Sequence, residues 1–349
     1  MTRKIIIVLV LTITSLVFCN LNALGSFEAE RNDHGYYSLV NEKGQVIDQT
    51  ALTVYEGDEY IAPDNRRYKV FKIDKDTCRC KQIGVEKTTL SGLSSENKGL
   101  MVGLIEVFAK DNPPVAIYHT HSDESYVPSD GTESANGRGG IYKVGSALVS
   151  RLSGLGVKVL YDRTTHNPHD PNAYYRSRRT ASKLMRKGAL ALIDVHRDAV
   201  PPNVYSTTVK GEKVTKVKLV VGKQNPHMSS NLEFAKKIKA YLDKNEPGLS
   251  AGIFIGKGNY NQDLTPRSIL VEVGAHTNNR VQAEKGVALF AQSIPKVLGI
   301  SSGEKTPLRP TAATKGMKSD WTSILWILGL VAAAYFVYFY INKGKIKGK

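Results

Sequence analysis

Apolar positions fall into three regimes along the chain. Residues 5–18 and 321–341 are almost continuously apolar, 27–100 carry only short and partly alternating runs, and 101–300 switch between apolar clusters and helical spacing. In the alternating region the runs at 36–40, 45–47, 68–73 and 79–83 read as strands. They are separated by turn clusters at 41–44, 56–58, 63–65 and 74–76. This predicts a small β-rich domain over 27–100, with no catalytic constellation of its own and a Ser/Gly/Lys/Thr-rich linker at 84–100.

The rhythm after residue 101 is different. Pro113 and Pro114 bar a helix from running into Val115, Ala116, Ile117 and Tyr118, which read as a buried parallel strand. Beyond a Ser/Gly/Asn-rich loop at 129–140, Val144, Leu148, Leu152 and Leu155 share one helical face that ends near Gly156. A strand at 157–161, a basic helix at 174–187, a strand at 189–196 and a hairpin around Lys210 and Gly211 follow. Leu232, Ala235, Ile238 and Leu242 mark another helix, and 252–255 and 268–273 two more strands. The closing helix carries Val287, Phe290, Ile294 and Val297, with Pro295 expected to kink or end it. Strands separated by such helices predict an α/β domain over 101–300, its mostly parallel sheet covered by helices on both faces.

The apolar ends concern the membrane. Arg3 and Lys4 before the run at 5–18, then Ala23, Leu24 and Gly25, have the form of a cleaved signal peptide over 1–25. Residues 321–341 carry no charge, and at about 1.5 Å per residue they are long enough to cross a hydrocarbon core. Four lysines in the tail at 342–349 should hold that end in the cytoplasm. The body is then expected outside the cytoplasm, tethered by its C-terminal helix through a flexible stalk at 301–320.

Charge narrows the partners. A formal net charge of +16 calls for a polyanionic neighbour. With no glycine-rich phosphate loop, finger spacing or aromatic–basic motif, nucleic acid is set aside in favour of lipid or acidic wall polymer. Cys78 and Cys80 are too close in sequence for an easy internal disulfide and have no nearby His, so they read as structural.

Three apolar strands each lead into titratable groups: His119, His121 and Glu124 after the first, Asp194, His196, Arg197 and Asp198 in the second, Glu272 in the third. Ligands in open α/β sheets bind at the carboxyl ends of strands. Two imidazoles and a carboxylate with one position left open form a common catalytic zinc set, here His121, Glu124 and His196. Such an ion polarises a carbonyl and lowers the pKa of water toward ~7. Glu272 would be the acid that takes and returns the proton. His119, two residues before His121 and facing the same side, is an alternative ligand or a neighbour of the metal and substrate. Asp194 or Asp198 could fix the His196 tautomer or pair with Arg197. His276 is placed to touch substrate, whereas His166, His169 and His227 read as solvated loop residues.

The stretches at 117–126, 193–198, 220–226 and 270–274 together resemble the stage II sporulation protein P family, over roughly residues 101–300. The resemblance implies a zinc-dependent N-acetylmuramoyl-L-alanine amidase acting on peptidoglycan, with endopeptidase activity on the stem peptide. It implies a zinc amidase-like fold, in which the first ligand corresponds to His121 by its place after the strand. In the wider amidases the second ligand is a glutamate opening the first helix. That point here falls near Ile141, which leaves Glu124 as the candidate. The resemblance further implies engulfment during sporulation, with a lytic transglycosylase (stage II sporulation protein D) and a membrane scaffold as partners, although an N-terminal anchor is usual where this chain has a C-terminal span. Two other classes match part of the pattern: a zinc carboxypeptidase-like peptidase, from the His-x-x-Glu spacing, and a non-catalytic wall-binding module, from the charge and tether.

Overall fold

The computed structural model describes residues 30–31, 33, 35–87 and 113–300. The expected signal segment, stalk, membrane span and basic tail lie outside the described residues, among which no helix is long and apolar enough to cross a membrane. The front of the chain forms five strands, β1 (Tyr37–Val40), β2 (Val46–Thr50), β3 (Glu59–Ile61), β4 (Arg66–Asp74) and β5 (Thr77–Val85). After residue 113 come β6 (Val115–Tyr118), a single helical turn α1 (Val127–Asp130), α2 (Ile141–Gly154), β7 (Val159–Tyr161), α3 (Ala173–Arg186) and β8 (Ala191–Asp198). The hairpin β9 (Ser206–Val209) and β10 (Glu212–Thr215) precedes β11 (Val217–Gly222), α4 (Met228–Asn245), β12 (Ser250–Gly256) and β13 (Ser268–Ala275). The chain closes with α5 (Arg280–Ala291) and α6 (Ser293–Leu298). The break at Gln292 falls three residues before Pro295, whose ring is incompatible with the preceding helical carbonyl.

Eleven strands make one sheet in the order β2-β1-β5-β4-β3-β12-β11-β13-β8-β6-β7. Around the site it is mainly parallel: β7 with β6, β6 with β8, β8 with β13, and β11 with β12. The junction of β11 with β13 is antiparallel, and so are most pairings among the front strands. The mostly parallel description therefore holds for the centre and not for the whole sheet.

The expectation of a separate front domain needs correction. β3 pairs antiparallel with β12 (Phe254 against Tyr60), so the front strands continue the central sheet. Their apolar side chains, Leu39, Tyr68, Val70, Cys78 and Cys80 among them, share one cluster with Val220, Phe254 and Leu270 of the centre. Residues 84 and 85, assigned to the linker, belong to β5. Cys78 and Cys80 lie on the same buried face, and burial pushes each thiol up to about 12, which keeps both inert and structural as expected.

Alternation along each central strand explains the two helical layers. Val115 and Ile117 of β6 and Ile193 and Val195 of β8 pack with α2, α4 and α5 on one face. Ala116, Tyr118 and Leu192 face Ala181 and Leu184 of α3 on the other. This second face also carries Asp194, His196, Asp198, Lys218 and Glu272, the polar positions in otherwise apolar strands. Lys218 is fully buried. Its Nζ donates to Asp48 Oδ1 at 2.8 Å, the Gln49 carbonyl at 2.7 Å and Asp198 Oδ2 at 3.3 Å, tying β2 to β8.

A candidate metal centre at the carboxyl edge of the sheet

Because β6, β8 and β13 run parallel and adjacent, their carboxyl ends share one edge. Glu272 is directly opposite His196 in register, and a bulge follows in which Gly274 adopts φ +72°. That left-handed conformation favours glycine, and the bulge ends the regular pairing next to Glu272. After β6 the chain turns sharply through His119, Thr120 and His121. The Glu124 carbonyl then accepts from the Ile141 amide, the first residue of α2, at 3.0 Å. Glu124 thus reaches in space the point at which the helix opens, although it is distant from it in sequence.

The two histidines and the glutamate converge. Glu124 Oε1 lies 3.1 Å from Nδ1 of His121 and 3.1 Å from Nδ1 of His196, and its Oε2 accepts from the Arg197 amide at 2.9 Å. Thr120 donates to Asp194 from its amide at 2.8 Å and from its hydroxyl at 2.5 Å. Asp194 Oδ1 is also 3.0 Å from His196 Nε2, although the contact misses hydrogen-bond geometry. The other nitrogen of His196, Nδ1, is the one turned toward Glu124.

Two residues that pattern alone does not reveal complete the cluster. Glu30 reaches from the amino-terminal side, its Oε1 3.3 Å from His121 Nδ1 and its Oε2 3.5 Å from His169 Nε2. His169 stacks on His121 at 3.8 Å between centroids and contacts Asp123 Oδ1 at 3.1 Å. Among the described residues, Glu30, His121, Glu124 and His169 form one set of donors within 4.8 Å of one another, and Glu30, His196 and Glu272 form another. His169 is thus not a solvated loop residue. Nor is His166, which is buried with Nδ1 2.7 Å from the His119 carbonyl and Nε2 2.8 Å from Thr180 Oγ1.

His119 has no nitrogen free to ligate. Nδ1 donates to the Val195 carbonyl at 2.7 Å, and Nε2 faces the Tyr161 hydroxyl at 2.9 Å. Burial lowers its pKa to about 4, so the ring is a neutral structural link between β6 and β8. Gly145 of α2 makes room for it: a Cβ there would meet His119 Nε2 and Tyr161 Oη, each at 2.5 Å. Gly145→Ala should therefore destabilise the protein by about 1–3 kcal/mol, as overpacking does, measured by denaturant unfolding. Unchanged stability would mean that the ring has slack to move. Asp198 also settles into structure rather than pairing with Arg197. It accepts from the Ala51 and Ala199 amides at 2.9 and 2.8 Å and from the Tyr205 hydroxyl at 2.9 Å, besides facing Lys218. Arg197 is buried, with Nε and Nη1 lacking hydrogen-bond partners, and Nη1 lies 3.8 Å from Glu30 Oε2. His276 Nε2 is 3.8 Å from Glu133 Oε2 and lines the same cleft as Arg197.

The local field favours a cation. Burial opposes charge on His196, but Asp194 and Glu124 raise its pKa well above the imidazole range. Burial likewise opposes charge on Glu124, which His196 and His121 hold down to about 2. His169, against burial, is raised to about 10 by Asp123 and Glu30. A site that draws protons onto imidazoles between carboxylates can take a divalent ion in their place. The Glu124-to-nitrogen separations match the edge of about 3.3 Å expected for a tetrahedron with bonds of about 2.0–2.1 Å. Those two separations, and the carboxylate and imidazole donors around them, make this cluster a possible metal site. Glu272 differs from Glu124. Burial, then the charge of Asp198, push its pKa well above the carboxylate range, and its Oε2 has no hydrogen-bond partner.

The chain is similar to several known proteins. Stage II sporulation protein P of Bacillus subtilis (strain 168) is 30% identical over 194 residues, covering 50% of this chain and 48% of that protein, so the match spans about half the length of the curated relative. Among solved structures, the N-acetylmuramyl-L-alanine amidase Ami1 from Mycobacterium smegmatis is 17% identical, covering 53% of this chain and 97% of its own, with a TM-score of 0.36. The CwlD amidase from Clostridioides difficile, in complex with the GerS lipoprotein, is 14% identical over 53% of this chain and 98% of its own, with a TM-score of 0.37. A family model described as stage II sporulation protein P matches residues 40–295. That match runs from the end of β1 into α6 and takes in every strand that frames the His/Glu cluster, and the chain belongs to the stage II sporulation protein P family.

Proposed function

We propose that the chain is a zinc-dependent peptidoglycan hydrolase that cuts the amide between N-acetylmuramic acid and the L-alanine of the stem peptide, with a second, endopeptidase action on that peptide. The observation that carries this reading is the meeting of His121, Glu124, His196 and Glu272 at one sheet edge in a member of this family. His121, Glu124 and His196 would hold the ion, which when bound supplies Lewis acidity to the scissile carbonyl. Glu124 balances part of the ion's charge, and its second oxygen, held by the Arg197 amide, fixes its direction. The Asp194 carboxylate, 3.0 Å from His196 Nε2, would favour the proton on that nitrogen by its charge. Glu272 accepts a proton from the attacking water and passes it to the leaving amine; a carboxyl with raised proton affinity suits both steps. The Arg197 guanidinium brings a fixed positive charge to the cleft where negative charge develops.

Peptidoglycan is the polymer to test, and the basic charge of the chain favours anionic wall. The sequence features at 1–25 and 321–349 support a single-pass protein held outside the cytoplasm by its C-terminal helix. The family supports a role in engulfment beside a lytic transglycosylase (stage II sporulation protein D) and a membrane scaffold. Digestion of purified peptidoglycan, read by mass spectrometry, should release sugar-free stem peptides with a new amino-terminal L-alanine. Release of only a terminal amino acid would favour a carboxypeptidase-like enzyme, and wall binding without product in zinc-replete buffer would leave a binding module.

A further inference from the structure

We propose that Glu30 is an internal competitor for the metal, a carboxylate carried on the amino-terminal strap that closes the open coordination position until substrate displaces it. This rests on the zinc reading above. A hydrolytic zinc needs three protein ligands and one exchangeable position. The sheet edge and the loop after β6 already supply three in His121, Glu124 and His196. Glu30 comes from elsewhere, and it is the one residue common to both donor sets, one around His121 and the other around His196 and Glu272.

Its position relative to the cleft makes it a barrier. A cleft of about 660 Å³ opens over the site and is lined by Glu30, His121, His169, Arg197 and His276 among others, but Glu124, His196 and Glu272 do not line it. These three are at most 1% exposed. A scissile amide entering from the cleft therefore meets the Glu30 carboxylate before it can reach Glu272. In this arrangement the proton-transferring acid is shielded from the polymer it serves.

The described residues of the strap are attached at the edge of the fold. Glu30 is held by an isolated bridge to Leu52, and the next amide, of Arg31, donates to the Ala51 carbonyl at 2.9 Å. Arg31 anchors the strap farther out, pairing with Asp33 at 2.5 Å and with Asp76, and stacking its guanidinium 4.8 Å over the Tyr37 ring. Glu30 and Arg31 lie outside the named strands, and a peripheral attachment of this kind opens locally at less cost than the central sheet. A receiver for the released carboxylate is already in place. Arg197 Nη1, 3.8 Å from Glu30 Oε2, has no hydrogen-bond partner. The exchange is one of ligands alone: the carboxylate leaves, a water or substrate oxygen takes its place, and no covalent bond changes.

The test uses the full chain loaded with Co²⁺, whose visible absorption reports its ligands, and compares it with Glu30→Gln and Glu30→Ala; melting curves confirm that both variants fold. The wild-type spectrum should be insensitive to millimolar acetate. In both variants the spectrum should shift and respond to acetate, and the zinc-loaded variants should digest wall at least about 5-fold faster, the lower end of a typical coupling between sites. Loss of metal together with activity would make Glu30 a permanent ligand and overturn the proposal, as would spectra and rates that do not change. If neither protein digests wall but the cobalt spectrum still responds as described, the hydrolase reading falls while the contact between strap and metal stands.

Discussion

Replacing Glu272 with glutamine should abolish wall digestion, by at least about 10²-fold, while zinc content stays at the wild-type level. The expectation rests on placement as much as on residue type. Glu272 is opposite His196 on the next strand, within 4.8 Å of its donor atom, and just before the bulge at Gly274. It is buried beside the negative charge of Asp198, so it holds a proton far more readily than an exposed carboxyl does. Glutamine keeps the shape and removes only the proton traffic. Turnover near wild type in this variant would remove Glu272 as the acid–base group, and loss of zinc would move it among the ligands.

Removing either imidazole ligand should act earlier, at the metal. His121→Ala or His196→Ala is expected to lose zinc on dialysis and activity with it, since each deletes one of the three proposed ligands and leaves Glu124 facing a single ring. Loss of an outer partner of a ligand typically weakens metal binding by about 10–100-fold, so loss of a ligand itself should exceed that. His119→Gln is the contrast. Both nitrogens of His119 are already engaged, by Val195 and Tyr161, and the variant should retain zinc even where it loses stability. Stoichiometric zinc in the His121 and His196 variants, measured by elemental analysis, would contradict the ligand assignment, and selective loss in the His119 variant would exchange the roles of the two histidines.

Much of the centre was legible because central strands covered on both faces are written as consecutive apolar residues, so a polar residue within them stands out. Ile193, Val195 and Leu192 leave Asp194 and His196 as exceptions, and Leu270, Val271 and Val273 do the same for Glu272. Apolar residues spaced along one helical face placed α2 and α4. What escaped depends on contacts between distant parts of the chain. Glu30 stands among other acids, Glu28 and Asp33, in a stretch without periodicity, and the bridge to Leu52 brings it near His121. His169 follows Pro168 in a polar loop, a setting that suggests solvent until Asp123 and Glu30 are seen beside it. β3 is three residues long, too short to announce itself, and its pairing with β12 leaves no local trace. That pairing is why the front strands read as a module of their own.

The union of β3 with β12 has a practical bearing on how the molecule can be dissected. A fragment cut to start at residue 101, where the change of rhythm invites a boundary, would strip the cover from one side of Ile253, Phe254 and Ile255 and leave the backbone of that strand open to any neighbour. It would also leave Lys218 without Asp48 in a dry interior. Such a fragment would clump through its bared edge, and silence in a wall-digestion assay would then report on solubility rather than chemistry.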